Sequence, residues 1–406
     1  MSIQRAEQLL VSIESSIRNA ESHRATVGLL DFIRDYTLYE EDLLESIELR
    51  KRYNSSRELG KSDISAEEAA PLLADCDRLF QKIKAYSYTE LEQELLSRYP
   101  TEPLIYAEDL EKSYPNQKKF KLGPVSTVLK PGEITGIVGE NGNGKTTLLR
   151  ILARLLSFDK GQLLYSFNEG LSQSDYEVKH NIAYIPQRLE KWNGTLQENL
   201  RYAATIHGIH GHDNDLAVEY VIHRMGLSNF AHLGWSELSS GYKLRFELAR
   251  MLVWSPKVLV LDEPLANLDI NAQQWLMQDF KHLAASLKNP VSIVMSSQQL
   301  HEVENVADNI IFLRNGSCDY SGGAKTFMED RSHNVFELSG NFTINQLQEI
   351  FKTEGGCSCA ESGLSVTLRT PRETSSSEVL TKLIAKGYTL HYFRDISTST
   401  KQLFHL

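Results

Sequence analysis

The sequence predicts three units in series: an all-α bundle over 1–100, an α/β domain over 104–325, and a small ferredoxin-like α+β domain over 333–406. Three observations carry this division. Apolar residues recur at helical spacing up to Pro100, and no strand-like alternation interrupts them. From Leu104 to about Gly323, strand-sized apolar runs alternate with helical stretches, which implies parallel pairing in an α/β sheet. Beyond that the order reads β-α-β-β-α-β, the split-βαβ sandwich. A chain of 406 residues accommodates two or three domains.

In the first unit Leu9, Leu10, Ile13 and Ile17 follow the 3.6-residue period and predict an amphipathic helix. "SAEE" from Ser65 is a capping box opening another helix, with Leu72, Leu73, Leu79 and Ile83 as its apolar face. The acidic run Glu40-Glu41-Asp42 reads as a solvated helix start, where negative charge suits the helix dipole. Pro100 to Pro103 reads as a linker. In the last unit the expected strands lie at 335–338, 357–361, 364–369 and 389–394, with helices over 344–354 and 377–385.

Composition narrows the function classes. The chain is 41% hydrophobic and 24% charged, and its longest apolar runs are strand-sized, so no bilayer-spanning helix is expected. Arg5, Glu7 and Glu14 interrupt the N-terminal turns where a signal peptide needs an apolar core, so a cytoplasmic location is expected. A formal charge of -10 argues against nucleic acid as the main partner. The basic cluster Lys118-Lys119-Phe120-Lys121 reads as a solvated loop or strand edge. Of the four cysteines, Cys76 and Cys318 are isolated and Cys357-Ser358-Cys359 has the wrong spacing for zinc, so reduced thiols are expected. "HGIHGH", His207 to His212, reads as a variable connection after a helix rather than as a metal site.

Two motifs carry chemistry. "GENGNGKT", Gly139 to Thr146, satisfies G-x-x-x-x-G-K-[ST] between an apolar strand at 134–138 and a helix expected over 146–156. Gly139, Gly142 and Gly144 let backbone N–H groups converge on a β-phosphate, with Asn141 and Thr147 as further contacts. Lys145 brings a positive charge to the β/γ oxygens, Thr146 can ligate Mg²⁺, and the helix N-terminus favours the anion. "VLVLDEP" ends a second apolar strand in two acids: Asp262 for the metal shell and Glu263 as base for an attacking water. A carboxylate there is costly unless it meets a cation.

With these motifs in order, the region from Leu104 to Gly323 resembles an ATP-binding cassette (ABC) domain of exporter-type ABC transporters. The implied fold is a P-loop NTPase cassette with a helical subdomain, and the implied activity is ATP hydrolysis with ATP and Mg²⁺ as cofactors. Tyr114 matches the aromatic that the family stacks on adenine. Gln187 in "YIPQR" matches the glutamine that touches Mg²⁺ and water and relays to a partner. "LSSGYKLRFELAR" from Leu238 matches the signature motif, whose Ser239 and Gly241 would face a γ-phosphate. "ANLD", Ala266 to Asp269, matches the D-loop.

There are two departures. The signature usually reads LSGGQ, whereas Ser240 and Tyr242 stand here in place of a glycine and the glutamine. The family also ends a strand in Ser-His or Thr-His, its histidine contacting the γ-phosphate; in "MSSQQLHEV" that position is Gln298, and His301 follows one helical turn later. An amide can hydrogen-bond a phosphate oxygen but cannot become cationic, which predicts a slow ATPase; the alternative is that His301, or a shifted strand end, does the histidine's work.

The resemblance further implies that one cassette is half a site, so a second subunit, most simply a copy of this chain, should close over the ATP. The tail from Val335 to Leu406, down to "STSTKQLF", is similar to the appendage of drug- and polysaccharide-exporter cassettes and points to a separately encoded membrane protein. That partner would hold the chain at the inner face of the cell membrane. The first 100 residues faintly resemble helical adaptor domains of bacterial signalling and conflict proteins, which leaves open a soluble ATP-operated switch that recruits an effector protein. A bundle that merely covers the cassette is the other reading of that segment.

Overall fold

The computed structural model describes residues 5–36, 39–56, 63–114, 120–168, 170–172, 174–266, 268–329, 333–351, 357–362 and 365–397. Five helices come first: α1 (Arg5–Arg18), α2 (Ser22–Tyr36), α3 (Glu40–Ser56), α4 (Ala66–Lys84) and α5 (Thr89–Arg98). The Ser65 hydroxyl accepts from the Glu68 amide at 3.4 Å and so N-caps α4, but the Glu68 carboxylate takes that hydroxyl at 2.8 Å instead of the Ser65 amide, so only half of the expected capping box forms. Leu10 and Ile13 enter the bundle core with Phe32, Tyr53 and Phe80.

Two expectations for this bundle fail. Leu9 is 37% exposed, because at 100° per residue it stands one step outside the stripe through positions 10, 13 and 17. Asp42 is buried at 2% exposure rather than solvated: Lys82 forms an ion pair with it and Tyr86 donates to it at 3.1 Å.

The α/β part holds two sheets. Strands β1 (Ile105–Ser113), β2 (Lys121–Leu129), β4 (Lys160–Asn168) and β5 (Gly170–Ser172) form an antiparallel sheet ordered β2-β1-β4-β5. Strands β3 (Ile134–Val138), β6 (Ile182–Ile185), β7 (Val258–Leu261), β8 (Ser292–Ser297), β9 (Asn309–Arg314) and β10 (Ser317–Gly323) form a second, ordered β10-β9-β3-β8-β7-β6. It is parallel except for β10. Strand alternation assigns its two faces. Val258, Val260, Val294 and Ile311 pack with helix α6 (Lys145–Leu152) against the antiparallel sheet. Leu259, Leu261, Ile293 and Ile310 pack on the other face.

That second face carries α8 (Leu196–Ile206), α9 (Gly211–Arg224), α10 (Ser240–Leu252), α11 (Ile270–Ala285) and the short α12 (Leu300–Val303); α7 (Asp175–Asn181) precedes β6 and α13 (Ala324–Glu329) follows β10. Helix α6 stops at Leu152, short of the expected 156, where Ala153 caps it and Arg154 turns to φ +54°. Of the basic cluster, Lys118 and Lys119 lie outside the described residues; Lys121 opens β2 and pairs with Glu111 at 2.9 Å. In "HGIHGH", His207 caps α8 and stacks on Trp254 with ring centroids 3.9 Å apart, while His212 lies 2.8 Å from Glu40 of the bundle.

The final unit runs β11 (His333–Gly340), α14 (Ile344–Phe351), β12 (Ser358–Ser362), β13 (Ser365–Pro371), α15 (Ser376–Ala385) and β14 (Leu390–Asp395). Its sheet is antiparallel, ordered β12-β13-β11-β14, which is the split-βαβ arrangement. The "STSTKQLF" stretch lies, apart from Ser397, outside the described residues, as does 352–356 at the expected end of α14.

The bundle interlocks with the α/β part. Leu30 and Ile47 join the core of the α/β helices, and Leu287 enters that of the bundle. Arg224 of α9, 3% exposed, bonds Asp31 of α2 at 2.7 Å and Asp279 of α11 at 2.7 Å. These opposed charges hold the Asp31 carboxyl below its usual range despite a burial penalty that acts the other way. Among the described residues, no helix is long and apolar enough to cross a membrane.

Candidate active site

Parallel strands deliver their following residues to one end of a sheet, where loops and helix N-termini can share a ligand. Strand β3 is buried along its whole length, and the loop after it must turn sharply into α6. Gly142 and Gly144 do so at φ +84° and +100°, the left-handed region that favours glycine. At Gly139 an added Cβ would stand 2.5 Å from the Leu313 carbonyl, so this backbone admits no side chain. Asn141 is exposed at the loop tip.

Lys145 begins α6, yet its side chain folds back under the loop. Its Nζ donates to the carbonyls of Gly139 at 2.8 Å and Glu140 at 3.2 Å, and pairs with Glu263 Oε1 at 3.2 Å. Next to it, Thr146 Oγ1 donates to Asp262 Oδ2 at 2.8 Å. The β7–β8 register, Leu261 opposite Met295, sets Asp262 beside Ser296. Ser296 Oγ donates to Asp262 Oδ1 at 2.8 Å and accepts from the Glu263 amide at 2.8 Å. One hydroxyl therefore orients both acids. Glu263 holds φ +48°, a backbone strain of roughly 1–3 kcal/mol that such a clamp can sustain.

Two amides meet on the same carboxylate oxygen. Gln187 Nε2 lies 2.7 Å and Gln298 Nε2 2.8 Å from Glu263 Oε2. Gln298 follows β8, and its turn is shaped by Ser297, whose hydroxyl donates to Glu302 and accepts from the Gln299 amide at 2.9 Å. His301 lies in α12, but its side chain is outside the described set.

Lys145, Thr146, Asp262, Glu263, Gln187 and Gln298 thus form one connected cluster. Tyr114 and Thr147 stand to one side of it, linked by a 3.2 Å hydroxyl contact, with the Tyr114 ring 6.4 Å from that of Phe120. Ser239 and Gly241 make no described bond to the cluster. Ser239 is exposed and N-caps α10, accepting from the Tyr242 amide at 3.5 Å, and a Cβ on Gly241 would meet Leu268 at 3.6 Å. In the "ANLD" stretch, Asp269 caps α11 and Asn267 lies outside the described residues.

Sequence reasoning missed two residues. Ser296 sits inside the quoted "MSSQQLHEV", but only strand register places it against Asp262. Asn143, buried within the phosphate loop, donates to the Leu313 carbonyl at 3.1 Å and accepts from the Asn315 amide at 3.1 Å, pinning the loop to the end of β9. It stands at a position the motif leaves free, so the motif gave no signal for it.

A glycine-rich loop entering a helix opposite an acidic strand end defines a P-loop nucleotide hydrolase. Comparison narrows the class. Residues 122–266 match the model of the family described as ABC transporter. The uncharacterized ABC transporter ATP-binding protein YcbN of Bacillus subtilis is 32% identical over 214 residues, covering 52% of this chain and 67% of that protein. The ABC transporter ATP-binding protein NatA of Bacillus subtilis is 28% identical over 243 residues, covering 57% of this chain and 95% of that protein. The phosphonates import ATP-binding protein PhnC of Treponema denticola is 28% identical over 255 residues, covering 60% of this chain and 97% of that protein. The chain belongs to the family of ABC transporter ATP-binding proteins, which are P-loop ATPases.

Proposed function

We propose that this chain binds MgATP at its phosphate loop, hydrolyses it slowly and closes into a dimer around it, driving a separately encoded membrane protein. The supporting observation is the shared hold on Glu263, with Lys145 on one oxygen and Gln187 and Gln298 on the other. A polyphosphate entering the loop offers Lys145 better partners than two carbonyls, and its transfer to the β/γ oxygens frees Glu263 to orient water. Backbone amides of Gly139, Asn141, Gly142 and Gly144 cradle the phosphates, Thr147 extends the cradle, and Tyr114 stacks on adenine. Thr146 and Asp262, hard oxygen donors 2.8 Å apart, would hold Mg²⁺, with Gln187 as a further donor.

Gln298 explains the slow rate, since its amide cannot gain a charge as the γ-phosphate leaves. Ser239, exposed, and Gly241, half-buried, make no described bond to the cluster and serve the nucleotide of a second copy. The membrane partner docks beside Gln187 and holds the chain at the inner face of the membrane, and export is the direction that the ferredoxin-like tail favours.

Lys145→Ala tests the foundation. At a hundred times its Kd, ATP stabilises a folded protein by ~2.7 kcal/mol. The parent should show that shift in thermal unfolding and the variant should not; an equal shift in both would refute the assignment of the loop.

A further inference from the structure

The N-terminal bundle meets the ATPase at a point from which it can influence the signature. The last carbonyls of a helix lack partners within it; at the end of α9 the amides of residues 225–227 meet them, and the bundle adds side-chain donors to one, that of His223. Arg50 of α3, 2% exposed, donates Nε to the His223 carbonyl at 3.3 Å and Nη1 to Thr26 Oγ1 at 2.9 Å. Asn54, one turn later, donates to the same carbonyl at 2.9 Å and to Ser228 Oγ at 3.1 Å. Asn229 returns a bond to the Asn54 carbonyl at 3.2 Å.

From its other side the same chain reversal is held by α10. Arg245 Nη1 donates to the Met225 carbonyl at 3.3 Å. Gly226 turns there at φ +67°, and an added Cβ would stand 3.3 Å from Arg245 and 3.8 Å from Asn54. The end of α9 is therefore wedged between α3 and the helix whose N-cap is Ser239. Apolar side chains could join these helices without burying a guanidinium. A buried cation bonded to the His223 and His23 carbonyls, the Thr26 hydroxyl and the His23 ring instead specifies one orientation.

We infer that Arg50 and Asn54 are positioning residues for the signature: through the end of α9 and Arg245 they set the angle at which α10 presents Ser239 and Gly241 to the nucleotide of a second copy. The inference rests on the proposed dimer. It gives the bundle a role in turnover without any contact with ATP.

Asn54→Ala and Arg50→Lys in the full chain test it, with Lys288→Ala as a control that removes a different bundle contact, the 3.2 Å bond to the Arg34 carbonyl. Misplacing a reacting group by about 1 Å costs up to about a hundredfold, so kcat should fall roughly tenfold in the two variants. The thermal shift with MgATP should stay parental in both, and the control should keep parental kcat. Folded Asn54→Ala protein with parental kcat would overturn the inference, as would an equal loss in Lys288→Ala. If Arg50→Lys does not fold, Asn54→Ala decides. In a Glu263→Gln background, ATP should dimerise the parent and not Asn54→Ala. A parent that stays monomeric there would refute the dimer, while the kcat comparison would still decide whether these residues act on turnover.

Discussion

Replacing Gln298 by histidine is the sharpest perturbation of the hydrolytic centre. Gln298 donates to Glu263 Oε2 at 2.8 Å, beside the 2.7 Å bond from Gln187, so on the proposed function an imidazole on the same backbone would face the γ-phosphate from beside Glu263. A neutral hydrogen bond contributes about 1 kcal/mol net, and a charge-assisted one is roughly twice as strong. The gain at the transition state is then about 1–1.5 kcal/mol, and 1.4 kcal/mol corresponds to tenfold in rate. Phosphate release at saturating MgATP should accelerate about tenfold in Gln298→His with ATP affinity almost unchanged, while His301→Ala leaves the rate parental. Should His301→Ala abolish turnover and Gln298→His change nothing, the placement of the sensor at Gln298 is wrong and His301 holds that role.

Two further outcomes concern the scaffold. Arg224→Met leaves Asp31 and Asp279 without the cation between them and should cost about 3–5 kcal/mol in urea unfolding; a loss below about 1 kcal/mol would contradict the network's role in docking the bundle. Burial against Trp254 lowers the His207 pKa from 6.5 to about 4, so the unfolded chain takes up the proton first as pH falls. That contribution is complete above pH 6.5 and is lost progressively down to about 4. His207→Phe should flatten the fall of Tm across that window, and an unchanged slope would refute the assignment.

Legibility followed periodicity. Strand β7 could be read because "VLVL" precedes two acids, and its alternation puts Val258 and Val260 on one face and Leu259 and Leu261 on the other. The phosphate loop was legible because its glycines answer to backbone geometry that the motif encodes. Asp42 was misread because a carboxylate at a helix start looks the same whether water or Lys82 meets it. Ser296 and Asn143 were missed for a related reason: each acts across strands distant in sequence. The interlock of Arg50, Arg224 and Asp31 has no repeat at all, since an ion network obeys no helical period, so the sequence could not tell a tethered adaptor from a docked brace.

The claim that this ATPase works as an ATP-closed pair is tested most directly by light scattering on Glu263→Gln with and without MgATP. The substitution keeps the side-chain shape beside Lys145 and Gln187 but removes the carboxylate proposed as base, so ATP should enter without being turned over. The expected result is a monomer without nucleotide that doubles in mass with MgATP and returns to monomer when the nucleotide is removed. A variant that binds MgATP and stays monomeric at saturation would contradict the account, because a different protein would then have to supply the face opposite the phosphate loop.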